Sequence, residues 1–313
     1  MHWLSDFRKR LSTDPELERA WRKTSFWALL LSLLFCFPLV MWVLFALQHE
    51  IQSYLILVPC IAAYLVWIRL DRIPLESGGK ASLSLALGAA GLLLTGAYLT
   101  SLFAGWPFAQ ADALAPATAG FILLLGAGVC AQFGAATRSA LLFPFCFLFF
   151  SVPLPERALT LLEIFLQHAS AEATQVLFNL VGLSHLREGL MFRLPGITIQ
   201  VAQECSGVRS TLVLLITSVV ASQLFLRSPL KRAGLILGTF VLGILRNGFR
   251  ILVIAWLCVE RGPHMIDSWV HRQGGPIFFA LSLLPLGVML WLMIRAETGR
   301  RRGAILAPPS QAQ

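Results

Sequence analysis

The chain has 313 residues, of which 57% are hydrophobic and only 13% are charged, and its formal net charge is +9 at pH 7. This charged fraction is about half that of soluble domains, and apolar runs long enough to span a bilayer recur, so the sequence excludes a soluble globular enzyme. The positive charge does not imply a nucleic-acid partner, because membrane proteins gather Lys and Arg on cytoplasmic loops. The fold class is therefore all-α, a polytopic membrane helical bundle.

Eight apolar segments are predicted to cross the membrane. In chain order they are Phe26–Leu47, Ile51–Ile68, Ser82–Phe103, Ala117–Phe133, Leu141–Val152, Val208–Leu226, Ala233–Val259 and Pro276–Ile294. We expect Pro38 to be tolerated as a kink inside the first span. Residues 1–25 are predicted to form a cytoplasmic segment, residues 26–296 a single transmembrane domain, and residues 297–313 a basic, disordered cytoplasmic tail.

One helical segment, Glu156–Leu183, holds charged side chains and is followed by two alternating apolar runs, 190–194 and 197–201. The alternation on either side of Pro195-Gly196 predicts a short β-hairpin. With the N-terminus inside, the predicted cytoplasmic segments hold 17 of the 25 basic residues, provided that Glu156–Leu183 does not cross. We therefore interpret this helix as interfacial or re-entrant at the extracytoplasmic face.

Cys205 is the candidate nucleophile. It is bracketed by charged residues at a membrane boundary, where Ser206 can cap the next helix and Gly207 permits close approach of another backbone. A helix start and the nearby Arg209 both favour the thiolate, whereas Glu204 opposes it. The alternative is a buried membrane thiol that behaves as a small hydrophobe. We expect the other five cysteines to be buried, because they all lie inside apolar runs: Cys36, Cys60, Cys130, Cys146 and Cys258.

Two arginines, Arg246 and Arg250, lie one turn apart on the same face of the seventh span, with Asn247 beside them. An arginine at membrane depth is costly and usually marks a site or a buried ion pair. Arg250 is the functional candidate, and Arg246, which is closer to mid-membrane, is the structural one. The alternative is a structural ion pair with an acidic residue: Glu163, Glu172 or Glu204.

His271 is the candidate proton carrier, because a histidine that faces a thiol can accept or return a proton near neutral pH. It abuts the eighth span, whereas His264 follows Gly262-Pro263 in a turn. Either residue can also be read as an ordinary loop histidine. A Cys/His metal site is a further alternative, but one Cys and two separated His fall short of a closed zinc shell. We expect no metal and no organic cofactor.

Cys205 in Glu-Cys-Ser-Gly-Val-Arg-Ser, Arg250 in Asn-Gly-Phe-Arg and His271 before Gly274-Gly275 together resemble the exosortase/archaeosortase family. The resemblance covers most of the chain, but not the N-terminal segment or the Arg-rich tail. Where the family often has His-Leu-x-x-Gly, this chain reads His-Arg-Gln-Gly-Gly. The family comprises multi-spanning membrane cysteine transpeptidases that process proteins with a C-terminal sorting signal of the PEP-CTERM kind.

The resemblance implies a prokaryotic inner-membrane enzyme with cytoplasmic termini and an extracytoplasmic site. Its partners would be exported proteins whose tail has a short motif, an apolar span and a basic end, an acceptor such as an envelope glycolipid or polysaccharide, and membrane lipids. Cys205, Arg250 and His271 would be catalytic. The supporting or substrate-binding residues would be Glu204, Ser206, Gly207, Arg209, Arg246 and Asn247. Two rival functions stay open: a secondary transporter that uses Arg246 and Arg250 for an anionic substrate, and a non-catalytic component of envelope polysaccharide assembly.

Overall fold

The computed structural model describes residues 14–103, 109–202, 207–267, 269 and 274–306. Within these residues, six helices are long and apolar enough to cross a membrane, or up to eight if each of two bent helix pairs forms one span. The predicted all-α polytopic bundle is therefore confirmed. The chain folds into two compact units, Met1–Leu159 and Thr160–Gln313. The predicted limits of a single transmembrane domain and a disordered tail stay predictions.

In its described residues, the first unit contains six α-helices. They are α1 (Pro15–Leu34), α2 (Cys36–Gln48), α3 (Leu57–Trp67), α4 (Ala81–Phe103), α5 (Gln110–Gln132) and α6 (Ala135–Leu148). Three short 3-10 helices, Glu50–Ile56, Leu70–Arg72 and Phe149–Ser151, complete it. Helices α4 and α5 pack closely because glycines face each other: a Cβ on Gly120 would lie 3.0 Å from the carbonyl oxygen of Gly91.

Two prolines shape the first two spans more strongly than we predicted from the sequence. The first span is not one kinked helix, because α1 and α2 are bent by 70° at Phe35. Pro38 has no N–H for the carbonyl of Leu34 and its ring clashes with that group, so α1 ends at Leu34, four residues before the proline. Pro59 acts in the same way on the carbonyl of Leu55, which lies in the 3-10 helix that precedes α3.

Two helices begin earlier than the spans predicted for them. Helix α5 begins at Gln110, not at Ala117, and it contains Pro116. Its first turn is rich in alanine and carries Asp112, both of which favour a helix start, and a proline is tolerated in a membrane helix. Helix α6 begins at Ala135, after Gly134, and not at Leu141. We placed both starts where the strongly apolar run begins, but each helix begins several residues earlier.

In its described residues, the second unit contains most of α7 (Glu156–Val181), a small antiparallel sheet and three further α-helices. The strands β1 (Leu186–Glu188), β2 (Met191–Leu194) and β3 (Ile197–Gln200) follow the order β1-β2-β3. The predicted hairpin is confirmed as β2 and β3, with Phe192 opposite Ile199 and Leu194 opposite Ile197. Strand β1 was not predicted, because its three residues are too few for an alternating pattern.

The described α-helices that follow the sheet are α8 (Val208–Phe225), α9 (Pro229–Arg261) and α10 (Gly275–Leu306). Helix α9 packs against α8 at Gly243, where a Cβ would lie 2.8 Å from Cγ2 of Thr211. It packs against α10 at Gly238, where a Cβ would lie 2.3 Å from Cε of Met289. Small residues at both points let three apolar helices approach closely, as membrane helices require.

Three cysteines expected to be buried are exposed on helix surfaces: Cys36, Cys60 and Cys146. Burial of all five was therefore a wrong prediction. An apolar run in a membrane protein presents one face to lipid, so apolar surroundings in sequence do not imply burial inside the protein. Cys130 and Cys258 are buried as expected.

Candidate functional site

Several predicted site residues lie outside the described residues, namely Glu204, Cys205, Ser206 and His271. Their roles stay predictions. The flanking residues are described on both sides, from β3 to Val201 and from Gly207 into α8. The environment of the predicted nucleophile can therefore be built from its neighbours in the chain.

Gly207 forms the start of α8 and has a left-handed backbone, with φ at 73° and ψ at 16°. Glycine adopts this conformation without the steric cost of a Cβ. We predicted Ser206 as the cap, but Gly207 occupies the cap position, and no side chain among the described residues caps the helix. The chain turns sharply at Gly207 because a glycine takes the required φ without strain, and α8 begins directly after it.

Other groups approach Gly207 closely, but they are side chains and not the other backbone that we predicted. A Cβ on Gly207 would lie 2.8 Å from Oδ1 of Asn247 and 3.0 Å from Nη2 of Arg246. Arg246 also donates from Nη2 to the carbonyl oxygen of Gly207, at 3.4 Å. Arg246 thus bonds to the residue two places after Cys205, and Asn247 packs against it.

Arg246 and Asn247 are buried, and Arg250 is partly buried one turn further along α9. This stretch of α9 therefore concentrates positive charge beside the start of α8, as an anionic thiolate or oxyanion in that place would require. Arg246 bonds to the backbone of Gly207, and Arg250 is the more accessible of the two.

Helix α7 supplies the other wall. Gln167 is buried and its Nε2 donates to the carbonyl oxygen of Val201, where the hairpin ends. Ser170 is also buried, and its Oγ accepts a hydrogen bond from Nδ2 of Asn247 at 3.0 Å. Helix α7 therefore bonds directly to the segment before Cys205 and, through Asn247, reaches the segment after it.

The inner face of the sheet closes this arrangement with an apolar core. Phe192, Leu194, Ile199 and Val201 are buried with residues of α7 and α9, including Phe178 of α7. At the sheet margin Arg187 donates to Glu172 Oε1 at 2.6 Å and also to Oε1 of Gln175. Glu172 therefore pairs with Arg187, which removes it as the structural ion partner that we considered for Arg246 and Arg250.

Gln167 and Ser170 are the residues of the site that we did not predict from the sequence. The charged residues of α7 were noted, but His168 and Glu172 are exposed. The buried face instead carries the uncharged polar residues Gln167, Ser170 and Thr174, at spacings of three and four. That spacing places them on one helical face, and it was the available signal.

His264 lies in a short 3-10 helix, Pro263–Asp267, directly after α9. Its Nδ1 would be 3.1 Å from a Cβ on Gly262, so the ring folds back on the turn. Among the described residues, no group of three or more His, Cys, Asp or Glu is placed to hold a metal ion.

The sequence model of the family described as "Transmembrane exosortase (Exosortase_EpsH)" matches residues 42–288. A comparison with curated proteins and another with solved structures each found no match. The matched region covers well over half of the chain and includes Gly207, Arg246, Asn247 and Arg250, the residues that frame the site. The chain is an integral membrane protein that belongs to the transmembrane exosortase family.

Proposed function

We propose that this protein is a cysteine transpeptidase that cleaves the C-terminal sorting tail of exported proteins. The new C-terminus would pass to an acceptor such as an envelope glycolipid or polysaccharide. The observation that carries the proposal is the fixed start of α8, where Arg246 and Asn247 hold Gly207 two residues after Cys205. Family membership supports the same reaction class.

The thiolate of Cys205 attacks the scissile carbonyl carbon, a C–S bond forms and the carbonyl becomes a tetrahedral oxyanion. When the oxyanion collapses, the C–N bond breaks and the amine leaves with a proton from the His271 imidazolium, so a thioester stays on Cys205. The acceptor then loses its proton to His271, attacks the thioester carbonyl and releases the thiolate. Arg250 stabilises the oxyanion in both steps, because its guanidinium can offer two parallel N–H donors.

The reaction would take place at the outer face of a prokaryotic inner membrane, with both chain termini inside. This rests on the distribution of Lys and Arg along the chain. Reporter fusions near residues 106, 190 and 265 are expected to read extracytoplasmic, and fusions near 75, 229 and 300 cytoplasmic. Opposite sides for 190 and 265 would separate Cys205 from His271 and contradict the proposed site.

The direct test uses a co-expressed exported reporter whose tail carries a short motif, an apolar span and a basic end. Cys205→Ala, Arg250→Ala and His271→Ala are each expected to abolish processing while the protein still accumulates in the membrane, because the three groups act in the same step. Arg250→Lys is expected to fail largely, since a single ammonium cannot replace the forked donors.

Cys258→Ala and His264→Ala are the matched controls and should process normally. Processing that persists in Cys205→Ala would rule out the transpeptidase. If His264→Ala blocks processing and His271→Ala processes normally, the proton carrier is His264 and not His271. If the protein's function instead survives Cys205→Ser but is lost in Arg246→Ala and Arg250→Ala, the result would fit a transporter of an anionic substrate.

A further inference from the structure

The outer edge of β3 carries backbone groups that the sheet does not use. Where β2 and β3 pair, Val201 N donates to Leu190 O, so Val201 and Leu190 form a hydrogen-bonded residue pair. Antiparallel pairs alternate between hydrogen-bonded and non-hydrogen-bonded. Counting back from Val201, the groups of Ile199 and Ile197 face β2, and those of Thr198 and Gln200 point away from it.

The edge formed by Thr198 and Gln200 is accessible. Both residues are exposed, and β3 lies at the margin of the sheet with β2 on its other side. The β3 side chains Ile197, Ile199 and the following Val201 face the apolar core, so α7 and α9 cover one face of the sheet and leave this edge clear. Among the described residues, no backbone hydrogen bond joins another segment to Thr198 or Gln200.

Two outward residues present two N–H and two C=O groups at the spacing of a β-strand, and another extended backbone complements such a row. Strand β1 has only one such residue, Arg187, since Glu188 and Leu186 pair with β2 at the hydrogen-bonded positions. The β3 edge also continues directly along the chain into Cys205, five residues after Gln200. Four residues therefore separate Gln200 from the predicted nucleophile along the chain.

Building on the proposed transpeptidase function, we propose that the exported protein binds as a fourth strand on β3, by pairing an extended segment near its cleavage point with Thr198 and Gln200. Backbone pairing of this kind supplies affinity without demanding particular side chains. The side chains of the bound strand would alternate between the two faces of the sheet, so alternate residues of the tail would be read differently.

The test uses disulfide capture in a Cys205→Ala background, where the reporter tail cannot be cleaved. Gln200→Cys is paired with a series of reporters that each carry one cysteine at successive positions around the cleavage point. The expected result is capture that alternates with a period of two residues, because a paired strand turns every second side chain toward residue 200. Leu186→Cys, on the opposite edge and the same outer face, is the control and should capture little.

A second measurement asks whether the backbone itself is used. Thr198→Pro and Gln200→Pro each remove one outward N–H, a change that an edge strand tolerates. Each is expected to slow processing by about 2- to 10-fold, the range for one net hydrogen bond. Thr198→Ala and Gln200→Ala keep the N–H, so each is expected to slow processing less than the proline at the same position.

The outcomes separate this inference from the function on which it rests. If processing requires Cys205 but capture shows no alternation, or Leu186→Cys captures equally, the β3 inference is wrong and the enzyme stands. If Cys205→Ala still processes the reporter, the transpeptidase proposal fails and this inference falls with it. If a proline variant does not accumulate, the capture pattern, which needs no proline, decides.

Discussion

Two helix pairs in this molecule approach closely through glycine but differ in what their polar side chains bind. In the first unit, α4 and α5 meet at Gly91 and Gly120, and the nearby hydroxyls donate to backbone carbonyls. Thr95 bonds to Gly91, Thr118 to Leu114 and Ser84 to Ala127. These acceptors are backbone carbonyls, which are present whatever residue occupies the position. The α4/α5 pair therefore depends mainly on the small size of its glycines.

In the second unit, α7 and α9 meet at Gly248, where a Cβ would lie 2.9 Å from Cβ of Ala173. Here Asn247 bonds to the side chain of Ser170 and Arg246 to the carbonyl of Gly207. A side-chain-to-side-chain bond requires both residue types, and an arginine at this depth is costly to keep. The comparison indicates that the α7/α9 pair positions a site, whereas the α4/α5 pair serves packing.

The largest effect is expected from Gly207→Ala. Alanine would be strained at a φ of 73°, by about 1–2 kcal/mol, and its Cβ would lie 2.8 Å from Asn247 Oδ1. We expect processing to fall by about tenfold or more, since about 1.4 kcal/mol corresponds to a factor of ten. The measurement is the processing rate per molecule of accumulated protein.

The counterpart in the packing pair is Gly120→Ala, whose Cβ would lie 2.8 Å from Thr95 Oγ1 and 3.0 Å from the Gly91 carbonyl oxygen. It should lower the midpoint of thermal unfolding and the amount of protein, yet leave processing per molecule near the wild-type rate. Equal loss of processing in both variants would erase the distinction between the two pairs.

A smaller effect is expected from exchanging two buried glutamines. Gln167→Leu removes the donor to Val201 O and leaves that carbonyl without its partner, a loss of about 1–3 kcal/mol. Because Val201 precedes Cys205 by four residues, we expect slower processing and slower alkylation of Cys205 by a membrane-impermeant reagent. A purely structural role would lower the amount of protein without changing the alkylation rate.

Gln52→Leu is the matched variant in the first unit. Gln52 is also buried, and its amide both accepts from Leu154 N at 2.8 Å and donates to Leu154 O at 3.3 Å. Its loss should lower stability by a similar amount, but the rate of alkylation at Cys205 should not change. An equal drop in that rate for Gln52→Leu would show that any buried amide produces the effect.

The sequence predicted the class of fold and the hairpin, because apolar runs and two-residue alternation are direct consequences of burial. It misplaced the start of α5 and the break at Phe35, since helix limits depend on individual prolines and caps more than on apolarity. The cost of an arginine at membrane depth made Arg246 and Arg250 candidates, and Asn247 was a candidate through its motif with Arg250. Gln167 and Ser170 were missed because charge was taken as the signal of a site, and the charged residues His168 and Glu172 lie on the exposed face of α7.

The smallest effect is expected at the sheet margin, where two ion pairs differ in burial. Arg187 has a side chain only 16% exposed, and it bonds to Glu172 and Gln175 of α7 and lies over the Phe192 ring at 5.7 Å. Arg193 pairs with Glu188 at 2.8 Å, but its side chain is 57% exposed. Exposed pairs contribute about 0–1 kcal/mol, whereas Arg187 also ties the sheet to α7.

We therefore expect Arg187→Ala to lower thermal stability measurably and Arg193→Ala to change it little. Neither should alter the processing rate by more than about twofold, because their ion pairs with Glu172 and Glu188 are separate from the hydrogen bonds at Val201 and Gly207. The midpoint of thermal unfolding and the processing rate, measured on the same preparations, check both statements. A large loss of processing in Arg193→Ala, with normal stability, would instead place the exposed outer face of the sheet in contact with the substrate, next to the strand proposed on β3.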